Sequence, residues 1–349
     1  MSKQPPAAEN AVTYRSRKAS TACERRAAKG HSTSSSLRPD RPDRVREAET
    51  GPSDMTLYRS GPRIIAPLRY DVAMGRLLSS IDELWSLPAL SPDAALPPDV
   101  VRAAVFDADH CLWAADIGDA AFAAAAAAGL IDDATWRGPV RAWASDWDLR
   151  LDDDPTRGVT EVMAAAASGQ LTSTAMARGL PPSGWKADLY AMQAWVYAGR
   201  TPNDIEAHGE RLFATGFAER IYGDMQRVVT GLIERGVEVW IASASHRALV
   251  VPGARRLGID PARVLGMEPV VVDGVTVARL HHSTYGPGKA AVALAALRAR
   301  PLLAFGDSVL STDQELLAAA HVGVAVATSG DNRRAALADD HLLLLDPRP

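Results

Sequence analysis

The sequence predicts an α/β protein: a three-layer parallel-sheet core that carries an inserted α-helical domain. Two observations lead there. Short, wholly apolar runs at RAAVFDAD, VEVWIASAS and LLAFGDS have the length and unbroken hydrophobicity of strands covered on both faces, and segments of helical period separate them. Residues 116–218, by contrast, are Ala-rich and amphipathic, hold five tryptophans and contain hardly any β-branched runs, so they read as helices inserted between the first strand and the second.

In chain order, DVAMGRLLSSIDELWSLP places Met74, Leu77, Leu78, Ile81, Leu84 and Trp85 at helical spacing, and Pro88 closes the segment. A leading amphipathic helix with a Pro-rich linker, ALSPDAALPPDV, is expected over 63–99. RAAVFDAD then opens the core, assigned to 100–116 and 219–349, with the helical insert at 117–218. DMQRVVTGLIE is a helix stopped by Gly236, VEVWIASAS a strand, and RALVVPGARRLGI a further helix. MEPVVVDGVTVARL reads as strand, turn and strand with Asp273 and Gly274 at the bend. GPGKAAVALAALRARP is a helix opened by Gly and Pro, LLAFGDS a third strand ending in an acid, and HVGVAVAT and HLLLL two more strands.

With 349 residues, 47 % of them hydrophobic and 23 % charged, the chain is long enough to bury a sizeable core. A net charge of -4 gives no field that would draw the whole surface to nucleic acid or an anionic membrane, so neither is expected as a partner. No apolar run reaches the roughly 20 residues that span a bilayer. Two cysteines, Cys23 and Cys111, cannot build a disulfide framework and suit a reducing compartment, so the cytoplasm is the expected location. The first 54 residues are rich in Arg, Ser and Pro and poor in large apolar side chains; 1–62 is expected to be a disordered basic tail, with Met55 as an alternative start.

In an open parallel sheet, ligands bind outside the carboxyl ends of the strands. Three successive strand ends carry FDAD, ASAS and GDS here, and Lys289 opens the helix before the third. A carboxylate nucleophile, a second acid, a cationic side chain and a divalent metal are what phosphoryl transfer through an aspartyl phosphate needs. Singly, each signal has a plain explanation: a DxD pair caps or turns, a serine ends a strand, a lysine is solvated. Their order and shared position make them one site.

These motifs resemble the haloacid dehalogenase-like superfamily, in its phosphoserine-phosphatase-like branch with a helical cap inserted after the first motif. The first family motif matches Asp107-Ala108-Asp109-His110-Cys111, the second Ser243, the third Lys289, and the fourth Gly306, Asp307, Ser308 and the later Asp313. The resemblance covers 100–349 and implies a Rossmann-like core. It further implies that Asp107 attacks the phosphorus and that Asp109 protonates the leaving oxygen and then activates water. Ser243 would bind a phosphoryl oxygen and Lys289 would offset charge between nucleophile and phosphate. Mg²⁺ would be held by Asp107, Asp109, Asp307 and Asp313. The substrate implied is a small-molecule phosphomonoester.

The chain departs from the family at His110 and Cys111, where Gly or Ser and then Thr are usual, so a weakened enzyme or a ligand-binding protein is one alternative. A zinc site at this pair lacks any CxxC or HxxxH partner, and Cys111 as a packing residue is the plainer reading. Asp313 serves either the metal or the N-cap of DQELLAAA, with Ser311 the other candidate to face the metal. Asp116 either meets an ammonium on the substrate, as the acid at this position does in phosphoserine phosphatases, or caps a helix. Trp113, Trp136, Trp143, Trp147, Trp185 and Trp195 form either a cage for a quaternary ammonium such as phosphocholine or core packing. A phosphotransferase using the same intermediate is a further alternative. A phospho-acceptor signalling module is excluded by the position of the acceptor acid and by the insert.

Overall fold

Eight strands form one sheet in the computed structural model, which describes residues 76–347. In chain order they are β1 (Arg76–Leu78), β2 (Val100–Phe106), β3 (Glu238–His246), β4 (Val264–Val272), β5 (Val275–His282), β6 (Arg300–Gly306), β7 (Val322–Val326) and β8 (Leu342–Leu345). Across the sheet the order is β1-β8-β7-β6-β2-β3-β4-β5, parallel throughout except for the β4–β5 hairpin. Asp273 and Gly274 make that hairpin's two-residue turn, both at positive φ (50° and 85°), the conformation the favoured hairpin turn demands.

Helices α1 (Ile117–Ala127), the single turn α2 (Asp133–Thr135), α3 (Arg141–Asp146), α4 (Pro155–Ala167), α5 (Gln170–Ala177), α6 (Lys186–Trp195) and α7 (Pro202–Ala214) lie between β2 and β3 in sequence. Their starts follow from the residues before them: Asp116, Asp132 and Asp154 accept backbone N–H groups as N-caps, and Thr201 with Asp204 forms a capping box ahead of α7. The insert's two ends are stitched together where Ala114 N–H donates to Arg220 O at 2.8 Å and Tyr222 N–H to Leu112 O at 3.1 Å. Beyond it come α8 (Gly223–Glu234), α9 (Arg247–Arg256), α10 (Pro287–Leu297), α11 (Gln314–Ala319) and α12 (Gly330–Ala338).

Both faces of the central strands β2, β6, β7 and β8 are largely buried, which explains why these strands are apolar at nearly every position rather than at alternate ones. Phe106 and Phe305, stacked with ring centroids 4.1 Å apart, pack with Val228, Leu232, Leu249 and Val250 of α8 and α9. Val105 and Ala304 face the other way, against Ala293 of α10, Leu316 of α11 and Ala336 of α12. The chain leaves β2 towards β3 on one side and returns to β6 on the other. The carboxyl end of β2 is therefore the switch point where such folds bind ligands.

The leading segment differs from expectation. Arg76–Leu78 is a strand paired in parallel with β8, and Ile81–Ser86 is a 3₁₀ helix. Leu78, Ile81, Leu84, Leu87 and Leu90 are all buried, at intervals of three residues, which is the 3₁₀ period and is easily taken for the α-helical one in a short window. The backbone of Arg76–Leu78 also covers the edge of β8, which would otherwise present unpaired groups. The tail expected at 1–62, and the first residues of the expected helix, lie outside the described residues.

Candidate active site

Three strand ends meet at the carboxyl edge of the sheet. Asp107 follows the last residue of β2, and its N–H donates to Phe305 O of β6 at 2.8 Å, which fixes it against the neighbouring strand. Lys289 enters from the first turn of α10. Its Nζ donates to Asp107 Oδ1 at 2.8 Å and to Asp313 Oδ1 at 2.5 Å, and the side chain is wholly buried. Asp313 stands at the N-cap position of α11 but makes no capping bond; its second oxygen accepts from Ser308 N–H at 3.0 Å. One carboxylate oxygen from each of Asp107, Asp307 and Asp313 lies within 4.8 Å of the others. Gly306 makes this convergence possible, because a Cβ there would sit 2.7 Å from Asp313.

Three carboxylates face one ammonium, so two negative charges lack compensation within the cluster. Burial, and then the Asp313 carboxylate beside it, push the Asp107 carboxyl well above the ordinary range despite the opposing pull of Lys289. Burial alone would lower Lys289, yet Asp107 and Asp313 outweigh it and hold the ammonium protonated. Burial and Asp313 likewise raise Asp307, to about 6. Hard oxygen donors with this excess negative charge fit a divalent cation such as Mg²⁺.

A pH dependence follows. Asp307 must lose its proton to act as a ligand, so Mg²⁺ affinity read by calorimetry should weaken as pH falls through about 6. Without metal the sign reverses: between about 4, the ordinary carboxylate value, and 6 the folded chain binds more protons than the unfolded one, so Asp307 lowers stability as pH rises through that window. Mg²⁺ binding that is equally tight at pH 5 and 7.5 would contradict this.

Asp109, expected among the metal ligands, lies outside this cluster. Its Oδ1 accepts from the Trp113 indole N–H and the Ile117 N–H, both at 2.8 Å, and its Oδ2 accepts from Ser245 Oγ at 2.7 Å. Ser243 is fully buried in β3; its Oγ accepts from Ser245 N–H at 3.0 Å, and its carbonyl is held by Thr284 Oγ1. The sequence pattern does not single out Ser245, and it offers Trp113 only as a cage or packing indole rather than as a donor to Asp109. The period of two along a strand, which puts both serines of ASAS on one face, was the available signal for the first.

Asp116 caps α1 through Oδ1, which accepts from Asp119 N–H at 2.8 Å, while Oδ2 meets Tyr190 OH at 3.4 Å. Burial, and then Asp109, push its carboxyl well up. His110 is exposed, with a left-handed φ of 61°, which is why glycine suits this position; histidine tolerates it at some strain. Cys111 is buried, and burial followed by Asp107 pushes its thiol well up, which suits an inert packing residue. Neither residue joins the carboxylate cluster. Four of the six indoles are engaged within the protein: Trp113 lies edge-on to Phe213 and Phe217, Trp136 donates to Asp152 O, Trp185 donates to Thr172, and Arg178 covers Trp147.

The family model for haloacid dehalogenase-like hydrolases matches residues 104–318, from within β2 into α11, and the chain belongs to this family. None of the curated proteins matches the sequence. Similar solved structures include a conserved functionally unknown protein from Anaerococcus prevotii DSM 20548, with a TM-score of 0.51 at 16% identity over 77% of this chain and 92% of that one. A protein with unknown function from Bordetella pertussis Tohama I has a TM-score of 0.50 at 19% identity over 69% and 97%. These two share the fold. A phosphoserine phosphohydrolase-like protein from Francisella tularensis subsp. tularensis SCHU S4 is more distant, with a TM-score of 0.38 at 13% identity over 65% and 87%. Among the described residues, no helix is long and apolar enough to cross a membrane.

Proposed function

We propose that this chain is a Mg²⁺-dependent phosphatase of the cytoplasm that hydrolyses a small-molecule phosphomonoester through an aspartyl phosphate on Asp107. The supporting observation is the buried Asp107–Lys289–Asp313 chain of contacts with Asp307 alongside and Asp109 two residues on. Asp107, Asp307 and Asp313 would hold the metal, which supplies positive charge against the phosphate when bound. Lys289 grips Asp107 Oδ1 and leaves Oδ2 to attack the phosphorus as the ester oxygen departs. Asp109 gives that oxygen its proton, then takes one from the water that splits the acyl phosphate, releasing inorganic phosphate and restoring both carboxyl groups. Ser243 donates to a phosphoryl oxygen. The helices at 117–218 act as a cap that keeps bulk water from the intermediate.

A primary ammonium on the substrate suits this site better than a quaternary one. The half-buried carboxyls of Asp116 and Asp119 are both raised, and a bound cation would relieve them, whereas five of the six tryptophans a choline cage would need, Trp113, Trp136, Trp143, Trp147 and Trp185, are buried. Phosphate release should therefore require Mg²⁺, stop in EDTA and favour phosphoserine over phosphocholine and sugar phosphates. Asp116→Asn retains the helix cap and should raise KM for phosphoserine about tenfold, the loss of one paired charge, while leaving p-nitrophenyl phosphate nearly unaffected. Equal KM changes on both esters would sink the amine assignment; no metal-dependent release from any ester would sink the phosphatase reading.

A further inference from the structure

Asp109 is held by three donors, and they are not equivalent. The Trp113 indole and the Ile117 amide can only donate, so both bonds on Oδ1 require a bare oxygen there. The third partner, Ser245 Oγ at 2.7 Å from Oδ2, is a hydroxyl, which donates or accepts by rotating about one bond. Ser245 is 4% exposed, so water does not readily stand in for it. The same residue's backbone N–H, at 3.0 Å, occupies the acceptor side of Ser243 Oγ and leaves that hydroxyl's hydrogen for another partner.

From this we infer that Ser245 is a positioning residue: its hydroxyl aims Oδ2 of Asp109 at the leaving oxygen while its amide aims the Ser243 hydroxyl at the phosphate. The inference rests on the phosphatase reading above. Trp113 and Ile117 N–H hold one edge of the carboxyl rigid, and the Ser245 hydroxyl fixes the other. Gly118 belongs to the same arrangement. A methyl on it would come 2.9 Å from Ser245 Oγ and 3.1 Å from Asp116 Oδ1, so only glycine leaves the hydroxyl where it is.

The test is leaving-group selectivity, which a merely structural role would not alter. An alkyl phosphate such as phosphoserine needs its departing oxygen protonated, whereas p-nitrophenolate leaves with little help. Ser245→Ala should lower kcat/KM for phosphoserine by about tenfold or more and change p-nitrophenyl phosphate by no more than about threefold. Ser245→Thr keeps the hydroxyl and should recover most of the difference. If Ser245→Ala fails to fold, Ser245→Cys, which keeps the side chain's shape but replaces the hydroxyl by a weak donor, should reproduce the selective loss. Equal losses on both esters, or none on either, would overturn the role of Ser245. Wild-type protein inactive on both esters would instead overturn the phosphatase reading itself.

Discussion

Asp107→Asn should abolish Mg²⁺-dependent phosphate release, by at least about 10³-fold in kcat, since an amide is no nucleophile and loss of a nucleophile alone removes most of the catalysis in such sites. The substitution keeps the shape of the side chain and an oxygen for Lys289, so the fold should survive it. Stability supplies a second reading. The carboxyl of Asp107 is disfavoured as an anion by burial and by Asp313, so its neutral replacement should leave the metal-free thermal midpoint equal to or above that of wild type. Wild type, by contrast, should gain more from added Mg²⁺, because it offers one more charged oxygen to the cation. A variant that is folded, binds Mg²⁺ like wild type and still releases phosphate would show that Asp107 is neither nucleophile nor ligand.

The parts of this site that were readable in the sequence are those fixed by local pattern. Apolar runs covered on both faces gave β2, β3 and β6, and the polar residues that end them fell at the sheet's carboxyl edge, as the parallel topology requires. Lys289 was readable because Gly286 and Pro287 mark a helix start, which places its side chain within one turn of that edge. The leading segment reads as an α-helix in the sequence because a period of three and a period of 3.6 diverge little over a dozen residues, and because the pairing of Arg76–Leu78 with β8 joins residues far apart in the chain. The same distance hid the Ser245–Asp109 bond, which spans 136 positions. Asp313 is legible as an acid yet ambiguous in role, since a helix start and a metal site both favour aspartate there; its oxygens turn towards Lys289 and Ser308 N–H, so it makes no capping bond and stands in the carboxylate cluster instead.

Lys289→Met should be the most damaging substitution to the fold among the site residues, and its damage should grow with pH. Methionine matches the length of the lysine stem but leaves Asp107 and Asp313 buried side by side without a counter-charge. Breaking a buried ion pair in this way typically costs about 3–5 kcal/mol. The carboxyl groups can escape part of that cost by taking up protons. Asp107 is already raised in the wild type with Lys289 pulling it down, so removing the lysine raises it further and widens the window in which the folded chain binds more protons than the unfolded one. Stability then falls as pH rises through that window, and the gap between variant and wild type should be smallest near pH 5 and largest near pH 8. Added Mg²⁺ should narrow the gap by replacing the missing positive charge, while phosphate release stays lost because nothing then holds Oδ1 of Asp107. Thermal midpoints at the two pH values, with and without Mg²⁺, read this directly. A gap that is independent of pH and of metal would mean that Lys289 stabilises the core by packing its stem rather than by its charge.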